Sequence, residues 1–133
     1  MRCPPPRRSA VEYSFEYNPP APALKVKIAK PLSDSYVELQ GKLDTGADMT
    51  VIPESAIDRV GIIPAGRVYV SSFKGEEAVE YTYFVDLSLL GYEFHMVEVI
   101  GARRRDALLG RDVLNAVKLT LDGKALNFSI SDP

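Results

Sequence analysis

The chain has 133 residues, 46% of them hydrophobic and 26% charged, with a formal net charge of −2 at pH 7. This is the composition of one soluble globular domain, and it gives no reason to expect nucleic acid or an acidic membrane surface as a partner. Cys3 is the only cysteine, so an intrachain disulfide is excluded and a reducing compartment is expected. No apolar run is long enough to cross a bilayer, and the N-terminus lacks the apolar segment of a secretory signal. The predicted location is therefore cytoplasmic, with no membrane partner.

Proline is concentrated at the start of the chain, which is typical of an extended segment rather than of a core. We therefore divide the chain into an N-terminal arm, residues 1–23, and a folded domain, residues 24–133. Tyr13, Phe15 and Tyr17 alternate within the arm. The arm is expected either to be partly disordered or to dock as a short strand on the body or on a second subunit.

From Leu24 onward the pattern is that of successive strands. Apolar and polar residues alternate over Leu24–Ile28 and Val37–Leu43, as in strands with one face in water. The next predicted elements are a short strand, Val51–Ile52, and one helical turn over Glu54–Val60 that ends at Gly61. A hairpin follows, with arms Val68–Ser72 and Ala78–Leu90 and its turn at Phe73–Glu76, and then a central strand, Tyr92–Ile100. The last predicted elements are a helix of about two turns over Arg111–Ala116 and two closing strands, Val117–Leu121 and Ala125–Ile130. These elements predict a mainly β fold: a small closed or sandwiched antiparallel barrel with one short C-terminal helix.

One turn in this pattern carries residues suited to catalysis. The strand that ends at Leu43 is followed by Asp44-Thr45-Gly46-Ala47-Asp48, which by itself is a weak signal because short turns of Asp and Gly are common. A second motif, Leu108-Leu109-Gly110-Arg111-Asp112, stands at the predicted C-terminal helix. In this order, with a glycine-bearing hairpin between them, the two motifs resemble those of the retropepsins. These are the retroviral-type single-domain aspartic proteases and their cellular and bacterial relatives, and the resemblance covers roughly residues 24–130.

The resemblance implies an aspartic endopeptidase with the acid-protease barrel. Such an enzyme hydrolyses a peptide bond with a water activated between two carboxylates, which share one proton because like charges about 3 Å apart do not both ionise. The chain supplies one such carboxylate, Asp44, so the implied partner is Asp44 of a second copy in a homodimer. A peptide or protein is the expected substrate. No cofactor and no metal are expected, since His95 is the only histidine and is predicted to be a core or interface residue.

The resemblance also implies roles for further residues. Thr45, Gly46 and Arg111 would support the active site, with Arg111 paired to Asp48. The substrate-binding residues would be those beside the motifs and those of a flap over the cleft, namely Ala47, Asp48, Leu108, Val70, Phe73, Lys74 and Gly75. The closing strand Leu126–Ile130 resembles the dimer-forming strand of the family. The alternative interpretation is a non-proteolytic dimeric peptide-binding or scaffold module that keeps the fold.

Overall fold

Strands dominate because most of the chain alternates apolar and polar residues. The computed structural model describes residues 10–71 and 74–131, which form ten strands and two short helices. In chain order these are β1 (Ala10–Glu12), β2 (Ala23–Ala29), β3 (Tyr36–Leu43), β4 (Val51–Pro53), α1 (Glu54–Val60), β5 (Gly66–Ser71), β6 (Glu77–Leu89), β7 (Tyr92–Ala102), β8 (Ala107–Leu109), α2 (Arg111–Leu114), β9 (Lys118–Asp122) and β10 (Asn127–Ser131).

Six strands close into a barrel in the order β2-β3-β8-β4-β7-β6, with β6 pairing back to β2. The predicted mainly β, closed-barrel fold is confirmed. Four of the six pairings are antiparallel, whereas β3–β8 and β4–β7 are parallel. Strand β8 lies between β3 and β4, so it adjoins both ends of the loop that joins those two strands. That loop is the Asp44 turn.

The core fills the barrel with the apolar faces of these strands. In β2 the side chains of Leu24, Val26 and Ile28 are buried, and the lysines between them are exposed, as predicted. The other large core side chains come from the remaining strands and both helices, and include Ile52, Ile57, Val85, Leu87, Leu89, Val99, Leu109, Val113, Leu114, Phe128 and Ile130. Burial of this set is the main favourable contribution to folding.

The burial of side chains varies along the long strand β6. Val85, Leu87 and Leu89 are buried, whereas Val79 and Tyr81, which lie on the same face by alternation, are exposed. The difference arises because the first part of β6 extends beyond the barrel and pairs with β5 in a hairpin. The alternation in the sequence therefore marks a strand, but it does not say where the core ends.

Both helices differ from the prediction in length. Helix α1 has the predicted bounds, but its seven residues make about two turns where one turn was predicted. Helix α1 ends at Gly61 in the left-handed conformation (φ 73°), as its sequence suggests. Helix α2 is a single turn, so the predicted two-turn helix over Arg111–Ala116 was wrong in length. Only Val113 and Leu114 of α2 are buried, and Ala116 N–H bonds to the Val113 carbonyl at 3.1 Å, in the tighter pattern of a helix end. A helix this short is held by its packing rather than by its own propensity.

The described part of the arm contacts the body. Strand β1 pairs antiparallel with β10, and the rings of Tyr13 and Phe128 lie 6.2 Å apart. The Tyr17 hydroxyl donates to Asp106 Oδ2 at 2.5 Å. Residues 1–9, with Cys3, lie outside the described residues. Neither helix in the described ranges has the length and apolar character needed to span a membrane.

Candidate active site

Asp44 is positioned by the end of strand β3. Leu43 pairs with Leu109 of β8, and the next residue, Asp44, donates its backbone N–H to the Leu109 carbonyl at 2.9 Å. The chain then turns sharply, since the Ala47 N–H bonds to the Asp44 carbonyl at 3.2 Å and the Gly46 N–H to Asp44 Oδ1 at 3.0 Å. Asp44 is therefore a half-buried carboxylate whose backbone and side chain are both held. Thr45 and Gly46, which follow it, are exposed.

The Asp44 turn packs directly against the start of α2. Arg111 N–H donates to the Ala47 carbonyl at 2.9 Å. A Cβ on Gly110 would lie 2.7 Å from the Met49 carbonyl carbon and 3.0 Å from the Ala47 oxygen, both of them backbone atoms. Only glycine allows the two backbones to approach this closely.

A hydrogen-bonded cluster joins the buried residues Thr50 and Gly110 to the exposed residue Asp112 beside this contact. Thr50 is fully buried, and it donates to Asp112 twice, from its N–H to Oδ2 at 3.0 Å and from its hydroxyl to Oδ1 at 2.8 Å. The same hydroxyl accepts the Gly110 N–H at 3.1 Å, and Asp112 Oδ1 also accepts the Val113 N–H at 2.9 Å. The Thr50 carbonyl accepts the Ile100 N–H at 2.9 Å, which ties the cluster to β7. Buried polar groups satisfied in this way make a junction rigid.

Arg111 connects the outer side of the turn to the helix. Its Nη1 donates to the Thr45 carbonyl at 2.9 Å, and its Nη2 donates to Asp48 Oδ1 in an ion pair. The Asp48 side chain is 86% exposed and that of Arg111 is 44% exposed. The ion pair therefore contributes little to the free energy of folding, and its main effect is to fix the geometry of the turn. The planar guanidinium fixes two acceptors of one turn relative to each other.

The sequence matches a protein family over this same region. The profile of the gag-polyprotein putative aspartyl protease family matches residues 37–116, more than half of the chain. The chain belongs to this family. The match spans both motifs of the site and stops immediately before β9. No relative was found among curated protein sequences.

Solved structures of retropepsin-like proteases have the same fold as this chain. The retropepsin-like aspartic protease from Rickettsia conorii superposes with a TM-score of 0.61 at 16% identity, covering 94% of this chain and 91% of that one. The EIAV protease complexed with the inhibitor HBY-793 gives a TM-score of 0.57 at 23% identity, covering 79% and 92%. The Simian Foamy Virus (mac) protease gives 0.54 at 19% identity, covering 71% and 92%. At these identities the likeness concerns the fold, and the fold is that of a retropepsin-like aspartic protease.

The structure brings together the predicted site residues of both motifs. Asp44, Thr45, Ala47 and Asp48 lie in one turn, and Arg111 reaches across from α2, as the resemblance implies. Leu108 is half-buried on β8, where it pairs with Lys42 of β3 and Val51 of β4.

The predicted flap residues lie elsewhere, on the β5–β6 hairpin. Val70 pairs with Ala78 and is 36% exposed, and Gly75 has a φ of 75° in the turn that also holds Lys74. Phe73 lies outside the described residues. Among the described residues, β5 is the edge strand of its sheet and pairs with β6 alone.

Two features of the described residues do not follow from the sequence pattern. The hydrogen bonds between Thr50 and Asp112 were not predicted. Thr50 directly precedes the apolar residues Val51 and Ile52, and a threonine hydroxyl that is buried with such residues needs hydrogen-bond partners. His95 was predicted to lie in the core or at an interface, but its side chain is 68% exposed, 3.3 Å from Asp86 and 3.7 Å from Glu93. It is not a core residue. Within the described ranges, no group of three His, Cys, Asp or Glu side chains is arranged to hold a metal ion.

His95 is exposed because β7 is irregular at this point. Pairing shifts between Val85 and Leu87 of β6, and Met96 adopts a φ of 52°. The bulge turns the side chains away from strict alternation, and so the period-two pattern does not locate them.

Proposed function

We propose that this protein is an aspartic endopeptidase that acts as a homodimer, with one Asp44 from each copy forming the catalytic pair. The observation that carries the proposal is the fixed Asp44 carboxylate, bonded to the Gly46 N–H and anchored through its own N–H to β8. A single carboxylate of this kind cannot be both base and acid in one step. A second copy, related by a two-fold axis beside the turn, supplies the missing group.

In the proposed reaction the two Asp44 carboxyl groups hold one proton and one water between them. The ionised carboxylate takes a proton from the water as the water oxygen attacks the peptide carbonyl carbon. The protonated carboxyl donates a hydrogen bond to the carbonyl oxygen and stabilises the negative charge that develops there. When the tetrahedral intermediate collapses, the C–N bond breaks and a carboxyl proton passes to the departing amine. Hydrolysis then yields one new acid and one new amine, and the pair again holds one proton.

The surrounding residues have positioning and binding roles in this proposal. Thr45 is exposed at the tip of the turn, where it would meet the partner's loop, and Arg111 holds the Thr45 carbonyl in place. Gly46, Ala47 and Asp48 present backbone and side-chain groups to an extended peptide, and Leu108 adds an apolar wall. The β5–β6 hairpin with Val70 and Gly75 would close over the peptide as a flap and exclude water. Residues 24–133 form the catalytic domain, and residues 1–23 form the arm.

The proposal is tested by digestion of a peptide library by the full chain across a pH series. We expect cleavage favoured on the acid side, inhibition by a peptide isostere that carries a hydroxyl at the scissile position, and loss of cleavage in Asp44→Asn. Asp34→Asn is the matched control, because Asp34 is an exposed aspartate before the start of β3, at the opposite end of that strand from Asp44. Full activity of Asp44→Asn would contradict the proposal. Binding of peptides by the wild-type chain without cleavage would instead favour the non-proteolytic module.

A further inference from the structure

Strand β3 has a second neighbouring strand along only part of its length. It pairs with β2 from Tyr36 to Lys42, but with β8 only from Gly41 to Leu43. Among the described residues, the segment Tyr36–Gln40 therefore has a neighbouring strand on one side alone. The edge of this segment is about 16 Å long, and its backbone N–H and C=O groups can pair with a further strand.

A cavity of about 160 Å³ lies along this edge. Three consecutive residues of β3 line it, namely Val37, Glu38 and Leu39. Because successive side chains of a strand point to opposite faces, a cavity that contacts all three follows the edge of the strand rather than one face. The buried residues Pro53 and Ala56 complete its apolar floor. An extended chain placed here would meet backbone groups and apolar side chains together.

Two arginines also line the cavity. Arg59 comes from α1 and Arg105 from the loop between β7 and β8, and both are exposed. In the part of the chain that the structure describes, neither arginine has an ion-pair partner. The carboxylate of Glu38 lines the cavity as well, but it is paired with Lys25, with 3.6 Å between Oε1 and Nζ. The cavity is therefore positively charged.

Helix α1 directs its opposite charges to different places. Glu54 and Asp58 are four residues apart and so share one side of the helix, as do Ser55 and Arg59. Ser55 and Arg59 line the cavity. Glu54 and Asp58 act on Tyr83 of β6, where burial first, and then these two charges, raise the pKa of the tyrosine hydroxyl. The side of α1 at the cavity thus presents a cation and a hydroxyl to a ligand.

We infer that this edge binds an extended, acidic peptide segment of another protein, which pairs with Tyr36–Gln40 and places a carboxylate side chain against Arg59 and Arg105. Strand addition at a sheet edge supplies affinity through the backbone, and pockets beside the edge supply specificity. Guanidinium groups bind carboxylates with paired, charge-assisted hydrogen bonds. A free phosphate ion would use only the two arginines, whereas an acidic peptide also uses the strand edge and the apolar floor.

This site is separate from the Asp44 turn. The cavity lies at the start of β3, and the turn follows the last residue of that strand, Leu43. The inference therefore goes beyond the proposed function, since the second site binds a peptide without cleaving it.

The test measures, by fluorescence anisotropy, the binding of a labelled and blocked seven-residue peptide in which valine and glutamate alternate. The full chain carries Asp44→Asn, so that cleavage does not consume the probe. We expect saturable binding that weakens as the salt concentration rises. The same peptide with glutamine in place of glutamate should have a Kd higher by about tenfold or more. Equal binding of the two peptides would overturn the inference.

Substitutions at the cavity locate the site. Arg59→Gln and Arg105→Gln should each raise the Kd of the glutamate peptide about tenfold. Arg103→Gln is the matched control and should bind like its parent, since Arg103 is an exposed arginine of the same loop as Arg105 but does not line the cavity. Thermal unfolding of the three variants checks that each is folded. Unchanged binding by a double variant at Arg59 and Arg105 would contradict the inference.

Strand addition is tested through the backbone of the probe. Only alternate N–H groups of an added strand face β3, so N-methylation at two adjacent central residues, in two separate peptides, should abolish binding of one peptide and spare the other. Equal binding by both methylated peptides would refute the pairing.

Inorganic phosphate is the last probe. If phosphate binds at the two arginines and the glutamate peptide does not bind, the cavity is a site for small anions and the inference is wrong. Cleavage at the Asp44 turn does not require this edge, so the loss of the inference would leave the proposed peptidase standing. Conversely, binding at the edge by a chain that cleaves no peptide would refute only the peptidase.

Discussion

The Thr50 hydroxyl donates to the Asp112 carboxylate at 2.8 Å and accepts the Gly110 N–H at 3.1 Å. One buried oxygen thus joins the strand after the Asp44 turn to the strand–helix junction some sixty residues later. The Thr50 N–H adds a second bond to Asp112 at 3.0 Å. The position of the turn relative to α2 therefore depends on groups that would not themselves contact substrate. Through Thr50, this arrangement couples the stability of the domain to the position of the turn.

Thr50→Val should lower the free energy of unfolding by about 1–3 kcal/mol, because the buried Gly110 N–H loses its acceptor and Asp112 loses a donor while the side-chain volume is kept. Denaturant unfolding of Thr50→Val, Asp112→Asn and the double variant measures the effect as a cycle. We expect a coupling of about 0.5–3 kcal/mol between the two sites, since they share hydrogen bonds. Strictly additive losses would show that the two side chains act independently.

Gly110→Ala should destabilise the fold by about 1–3 kcal/mol, since the added methyl meets backbone atoms that cannot rotate away. Gly123→Ala provides the control, because a Cβ at Gly123 has no other atom within 4 Å. Chemical denaturation of both variants gives the comparison. Equal stability of the two would mean that the turn and α2 can separate at little cost.

The sequence predicted the parts of the site that lie in continuous motifs. Asp44 and Arg111 stand in short segments whose residue types carry their chemistry, and the hydrogen-bonded turn is a local consequence of its own residues. The mainly β fold followed from the alternation of strands such as β2 and β3, and the closed barrel was implied by the family resemblance of the two motifs. These features depend largely on patterns within single segments, and such patterns are visible in the sequence itself.

The remaining features depend on contacts between distant segments. Thr50 meets Asp112 because β8 lies between β3 and β4, and no local pattern encodes that order. The length of α2 is set by where burial stops, after Leu114. The exposure of His95 follows from a bulge in β7, and the central place of β10 in its sheet follows from the pairing of β1, at the start of the described chain, with β10 at its end. Each is a property of the assembled sheet rather than of a segment.

Arg111→Lys should reduce peptidase activity by a factor on the order of ten to a hundred, with little loss of stability. A lysine ammonium cannot hold the Thr45 carbonyl and the Asp48 carboxylate in one plane, and small displacements of a catalytic turn are costly to the rate. Peptide cleavage and thermal unfolding, measured together, separate the two effects. Arg103→Lys is the control, because Arg103 is an exposed arginine between β7 and β8, outside the turn and outside the proposed flap. An unchanged rate for Arg111→Lys would mean that the turn holds its shape without the guanidinium.

Asp86 should make the domain sensitive to acid. Burial by itself raises the pKa of the Asp86 carboxyl, but hydrogen bonds from the Met96 N–H and from His95, with the charge of His95, outweigh burial and lower that pKa below its ordinary value. A lowered pKa means that the folded state prefers the ionised carboxylate more than the unfolded state does. The resulting stabilisation is present above the unfolded-state pKa and is lost as the pH falls through the folded-state pKa.

Asp86→Asn should therefore unfold at a lower temperature than the wild type near neutral pH, and the two melting temperatures should converge as the pH falls below the ordinary aspartate range. Thermal unfolding over a pH series measures the gap directly. Asp58→Asn, which removes one exposed carboxylate from α1, is the matched control. A gap between Asp86→Asn and the wild type that stays constant with pH would mean that the side chain acts through its shape and neutral hydrogen bonds. In that case ionisation would have no part in holding the bulge at His95 and Met96, and acid would have to destabilise the barrel through other carboxylates.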